Sequence, residues 1–251
     1  MVKGRIMPKI TLKDTNQMEK LTSYLAKSSV ELMGITPDAE DIIERACRTC
    51  YLSFHRYDPP DSTDELIKKV IKKKHHSVLE HATATFRIKG GSRVFTHELV
   101  RHRFISPSQE SQRYVCYADK PGRKKTKDYE IVLPRTIESA DWPDKSENPA
   151  VSFVKVALAC YELYEKLLDA GVPPEDARYI LPNATVSEIV ITANFRELRH
   201  FFCVRTNPRA HWEIRKIAID MLKIMKEKAP IVFDDFEINE EEMSATFKYD
   251  T

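Results

Sequence analysis

Only six glycines occur in 251 residues, and none stands in G-x-G-x-x-G or in G-x-x-x-x-G-K-[ST]. That argues against a Rossmann or P-loop nucleotide site, because both need glycine backbone to approach a phosphate. If this chain holds a nucleotide cofactor, side chains and helix ends must grip it. The length suits one α/β domain with room for a real core. Apolar residues at 42% and charged residues at 31% mark a globular chain. A net charge of +2 is low for a protein that holds duplex nucleic acid mainly by charge, so any polyanion site must be local.

The five cysteines, Cys47, Cys50, Cys116, Cys160 and Cys203, are odd in number and irregular in spacing. This points away from a disulfide framework and toward the reducing cytoplasm. Cys47 and Cys50 form C-x-x-C inside an apolar-periodic run and read as helix packing. No signal peptide is expected, and no apolar run approaches the ~18 residues of a membrane span.

Periodicity predicts α/β (α+β) architecture, a helix-majority single domain with a small sheet. Helices are expected over 38–54, 62–74, 149–170 and from Asn194 onward, with Gly171 closing the third and Glu197 completing a near capping box on the fourth. Ser92 is expected to cap a helix running to Phe104, a short helix to follow Pro173-Pro174, and the last long helix to open at Asn207-Pro208 and end near Pro230. Strands are expected over 82–89, closed by Gly90-Gly91, over Glu130–Leu133 and over 185–193. Residues 105–113 read as a polar loop broken by Pro107.

Three polar clusters stand out. Arg101-His102-Arg103 precedes a loop of hydroxyls and amides, Ser106 to Arg113. Cations at a helix C-terminus suit its dipole, and arginine forks with neutral donors suit phosphate esters. A solvated helix end followed by a polar turn has the same composition. His75-His76-Ser77 with Glu80-His81 places polar pairs four apart, but H-E-x-x-H is absent and no third metal ligand is indicated. Arg178, Asn194, Arg196, His200 and Arg205 form a C-terminal group in which a helix cap and a helix-end cation are equally ordinary roles.

Arg-His-Arg, seven residues, then Ser, at Arg101-His102-Arg103 and Ser111, resembles the signature of flavin-dependent thymidylate synthases. Supporting blocks resemble the family in the same order: Arg45-Ala46-Cys47 with Ser53-Phe54, His75-x-Ser77-x-x-Glu80-His81, Thr96-His97-Glu98-Leu99, Ala177-Arg178-x-x-Leu181-Pro182, Asn194-x-Arg196 and His211-x-Glu213. The resemblance spans about residues 40 to 236. It leaves a variable N-terminus (1–37), an insertion (117–148) and an acidic C-terminal tail (237–251).

The resemblance implies a homotetramer with active sites built from several subunits, and a non-Rossmann FAD site at subunit interfaces. By position, it implies that Ser77, Arg101, His102, Arg103, Gln109, Asn194, Arg196 and His200 touch FAD. It assigns Glu98, Leu99, Val100, Arg101, Gln109, Glu110, Ser111, Gln112, Arg113, Arg178 and Arg205 to the dUMP pocket, with Arg205 catalytic. Some members differ at Ser108, Gln109 and Glu110.

The implied reaction is reductive methylation of dUMP to dTMP, with NADPH as reductant and methylenetetrahydrofolate as carbon donor; no metal, nucleic acid or membrane is implied. No Pro-Cys-His motif offers a thiolate to the uracil ring. An arginine that stabilises an anionic uracil is the electrostatic alternative. A nucleic-acid-binding module and a metal-dependent nucleotide hydrolase are the competing classes.

Overall fold

A computed structural model describes residues 21–117, 124–140 and 148–248. Residues 1–20 of the variable N-terminus, 118–123 and 141–147 of the insertion, and 249–251 of the tail lie outside the described residues. The elements in chain order are β1 (Ser29–Ile35), α1 (Ala39–Tyr51), α2 (Asp61–Lys72), β2 (Thr83–Ser92), α3 (Arg93–Leu99), β3 (Ser106–Gln109), α4 (Arg135–Glu138), α5 (Pro149–Asp169), α6 (Pro174–Ala177), β4 (Val186–Asn194), α7 (Phe195–Arg205), α8 (Trp212–Lys228), α9 (Pro230–Phe233), β5 (Phe236–Asn239) and β6 (Ser244–Phe247). The class is α+β, with helices in the majority. The chain divides into two compact units.

One unit comprises residues 28–89, 95–109 and 188–251. Its sheet has the strand order β1-β2-β4-β3. β1 pairs antiparallel with β2, Val30 facing Ile88, and β3 pairs antiparallel with β4, Pro107 facing Ile191. Alternation buries Ala84, Phe86 and Ile88 on β2, and Ile189, Ile191 and Ala193 on β4. Helix spacing does the same for Ala39, Ile43 and Cys47 on α1 and for Ile214, Ile217, Ala218 and Met221 on α8. These side chains form one apolar core. Each fully buried Phe or Ile contributes roughly 1.5–3 kcal/mol relative to exposure. Cys47 lies in this core, and burial pushes its thiol up to about 11, as suits a packing residue.

The other unit comprises residues 1–27, 90–94 and 110–187. Asn148 caps α5 by accepting from the Ala150 and Val151 amides at 2.8 and 3.3 Å. Gly171 follows with φ +84°, as the C-terminal glycine rule requires. Val154, Ala157 and Tyr164 of α5 pack with Tyr117, Tyr129 and Ile131. Tyr129 and Tyr161 stack at 4.2 Å.

Several expectations need correction. The helix after Ser92 stops at Leu99, so Arg101–Arg103 occupy the turn beyond it. The strand at 82–89 continues through Gly90-Gly91 to Ser92. The expected loop 105–113 contains β3, an edge strand, where Pro107 is tolerated because one side needs no partner. Its exposed, polar residues hide the strand from any alternation test. At 130–133 only Ile131 forms isolated bridges. Asn207 makes a side-chain turn onto the Arg209 amide at 2.9 Å, and α8 starts only at Trp212. β1 and the β5–β6 hairpin lie outside the expected strands, although β1 alternates exposed and half-buried residues.

Candidate active site

The Asn194 carboxamide accepts from the Glu197 amide at 2.9 Å and starts α7 directly at the end of β4. Phe195, Leu198, Phe201 and Phe202 then recur at three- and four-residue spacing and are buried. That fixes the rotation of the helix and turns Arg196, His200 and Val204 away from the core, with Cys203 at its margin. They line a cleft of about 1230 Å³ within the sheet-bearing unit. The turn after α3 delivers Arg101, His102, Arg103 and Phe104 to the same cleft.

Arg205, the last residue of α7, is held on three sides. Its Nε donates to His102 Nε2 at 2.9 Å, its Nη1 to Glu98 Oε2 at 2.8 Å, and its Nη2 to the Glu98 carbonyl at 3.3 Å. His102 must be neutral to accept. Burial, with Arg205 and His200 adding positive charge nearby, lowers its pKa to about 4. With Nε2 as acceptor, the ring proton sits on Nδ1, which faces Glu197 Oε1 at 3.6 Å. Burial raises the pKa of Glu197. Glu98 also faces His211 Nδ1, at 3.5 Å. A polar chain therefore runs His211, Glu98, Arg205, His102, Glu197. Arg196 pairs with Glu80 at 2.5 Å.

Of the residues expected at FAD, Arg101, His102, Arg103, Asn194, Arg196 and His200 line the cleft. Ser77 and Gln109 are not among its lining residues. Ser77 is exposed on the 3-10 turn His76–His81, and the Gln109 amide donates to Thr96 Oγ1 at 3.0 Å. The 3-10 geometry also corrects the expected pairing within this turn: at three residues per turn, positions four apart do not share a face. Glu80 reaches Arg196, and His76 Nε2 lies 3.3 Å from the Ile71 carbonyl. Of the residues expected at dUMP, Arg101 and Arg205 line the cleft, Leu99 is buried in the core, and Val100 is 41% exposed.

Glu110, Ser111, Gln112, Arg113 and Arg178 belong to the tyrosine-rich unit. There Arg113 and Arg178 converge on Glu175. Arg113 Nη2 lies 3.9 Å from its carboxylate, and Arg178 Nε donates to its carbonyl at 3.1 Å. Glu110 accepts from Lys127 at 2.7 Å and from Tyr117 at 3.0 Å. Gln112 is buried, and Ser111 Oγ accepts from the Arg113 amide at 3.3 Å.

The cleft also recruits Lys74, His76, Glu197, Arg199, Asn207 and Phe247, which the sequence did not single out for this site. Cys203 borders it although it sits in an apolar run, because helical spacing places it near Arg196 and His200. Among the described residues, no three His, Cys, Asp or Glu side chains gather to hold a metal ion, and no helix is long and apolar enough to cross a membrane.

Residues 31–231 match the family described as thymidylate synthase complementing protein. The chain is 40% identical to the flavin-dependent thymidylate synthase of Geobacter sulfurreducens over 212 residues, 82% of this chain and 85% of that one. It is 38% identical to the enzyme of the same name from Mycobacteroides abscessus over 239 residues, 88% and 89% of the two chains. It is 40% identical to that of Pyrococcus furiosus over 179 residues, 71% and 68%. The matched span runs through both units, and by its extent and these identities the chain belongs to the flavin-dependent thymidylate synthase family.

Proposed function

We propose that this chain converts dUMP to dTMP by reductive methylation, with FAD as its flavin, NADPH as reductant and methylenetetrahydrofolate as carbon donor. The observation that carries this reading is the cleft, where the Arg101-His102-Arg103 turn meets Arg196, His200 and Arg205 on α7. Its donors suit a dinucleotide: arginine forks for phosphate oxygens, and an amide and imidazoles for ring and ribose edges. The size fits as well, since about 1230 Å³ exceeds the usual small-ligand pocket. Family membership favours this reading over a nucleic-acid module or a metal-dependent hydrolase.

Arg101, Arg103, Arg196, Asn194 and His200 would hold FAD, which when bound supplies hydride. Arg205 would bind the uracil edge and stabilise the negative charge that grows as C5 attacks. Its guanidinium stays charged at any working pH, so it acts by electrostatics and not as a base. Glu98 and neutral His102 orient it. Arg113 and Arg178 would grip the dUMP phosphate. In this reading the working form is a cytoplasmic homotetramer. Three large side chains fit subunit contact, Phe104, Tyr114 and Tyr179, which are 82, 72 and 87% exposed. The test is a visible spectrum taken after adding FAD and gel filtration. Flavin absorbance should elute with the protein, and its absence near neutral pH would sink the assignment.

A further inference from the structure

The β5–β6 hairpin, Phe236–Asn239 paired with Ser244–Phe247, lies beyond residue 231, where the family match ends. It is nevertheless bound tightly to the helix that carries the cleft arginines. Arg199 of α7 forms a buried two-pronged pair with Asp235, at 2.6 and 2.7 Å, directly before β5. The same guanidinium donates to the Val232 carbonyl and lies 5.0 Å from the Phe236 ring centre. At the C-terminal end of α7 the Ala245 amide donates to the carbonyl of Thr206, the residue after Arg205, at 3.1 Å. The hairpin is therefore fixed to α7 at the middle of the helix and just past its C-terminal end.

This anchoring has a consequence for the cleft. Phe247 is half-buried, packs on the Phe236 ring at 5.7 Å and lines the cleft together with the arginines. Among the described residues it is the one aromatic ring contributed there from outside the family match. A ring held from behind by packing, with an edge or face open to a cationic cleft, is the arrangement that stacks a planar heterocycle whose phosphates the arginines hold. We propose that Phe247 is a binding residue of this enzyme, stacking on a planar ring of the bound flavin dinucleotide, and that the hairpin exists to place it. The proposal rests on the flavin reading above.

Three variants test it, with FAD affinity followed by flavin fluorescence and folding by thermal melting. Phe247→Leu keeps apolar packing and removes the ring; it should weaken FAD binding about tenfold, as loss of one stacked ring does, while melting stays within a few degrees. Phe247→Tyr keeps the ring and should bind within about twofold of the unsubstituted chain. Phe247→Ala should lose at least as much affinity as the leucine variant, with a lower melting temperature from the lost packing. Unchanged FAD affinity in Phe247→Leu overturns the proposal while leaving the flavin reading intact. Failure of the unsubstituted chain to bind FAD overturns both.

Discussion

The two units handle charge differently. In the sheet-bearing unit two arginines of α7 are sequestered: Arg199 is 8% exposed against Asp235 at 4%, and Arg205 is 18% exposed among Glu98 and His102. In the tyrosine-rich unit Arg113, assigned to phosphate, lies outside, 52% exposed and 3.9 Å from a Glu175 that is itself 43% exposed. A guanidinium held in a low-dielectric niche keeps one orientation, which suits chemistry at a ring atom. One at the surface can follow a mobile phosphate. The contrast implies that substitutions in the first set cost folding or turnover, and substitutions in the second cost mainly substrate affinity.

The strongest challenge to that contrast is Asp235→Ala. It leaves the Arg199 charge buried without its carboxylate, so unfolding free energy should drop by about 3–5 kcal/mol, read from urea titration. A loss below 1 kcal/mol would show that Arg199 behaves like a surface group. Next comes Arg205→Ala. Removing one charge-stabilising donor typically costs about 10²–10³ in rate, so dTMP formation should fall by that much. FAD retention and its reduction by NADPH, followed by stopped flow, should persist. Arg205→Lys keeps the charge without the fork and should fall between. Normal dTMP formation by the alanine variant would remove Arg205 from the mechanism.

Acid should separate the units more gently. The unfolded chain protonates His102 near pH 6.5, while the folded chain resists until about pH 4. Its stabilising contribution is therefore complete above pH 6.5 and declines as pH falls through that window. The unfolding midpoint of His102→Asn should show a shallower acid slope between those limits, and parallel slopes would count against a buried neutral imidazole. The smallest folding effect should belong to Arg113→Ala, at most about 1 kcal/mol, because an exposed pair gains little. Its KM for dUMP should rise with little change in kcat. A fall in kcat with KM unchanged would place Arg113 among the orienting groups instead.

Where local rules decide structure, the sequence was readable. α1, α2, α5 and α7 were visible from period and caps, and Asn194 does cap α7. The motif residues Arg101, His102, Arg103, Asn194, Arg196, His200 and Arg205 do meet in one cleft. Long-range pairing was not readable. β3 is exposed and polar, and its strand geometry comes from the register with β4, over eighty residues away in the chain. The opening of α8 was misplaced because Asn207 turns onto Arg209 instead of capping a helix. Phe247 and Arg199 escaped notice for a similar reason. One sits in a short hairpin and the other looks like any helix-surface cation, and only the fold carries them to Arg205 and Asp235.

Arg205 donates to Glu98 Oε2 at 2.8 Å. An anion that approached this guanidinium would compete with that carboxylate and would not meet a bare cation. Such exchange filters ligands. A free phosphate or a chloride ion gains little by it, because it offers the guanidinium no more than Glu98 does. In the proposed reading, a neutral uracil edge that accepts from the fork while its own N–H faces Glu98 would satisfy both groups at once. On that reading the acidic neighbour would act as a gate on identity, admitting a ring that both donates and accepts ahead of simple anions.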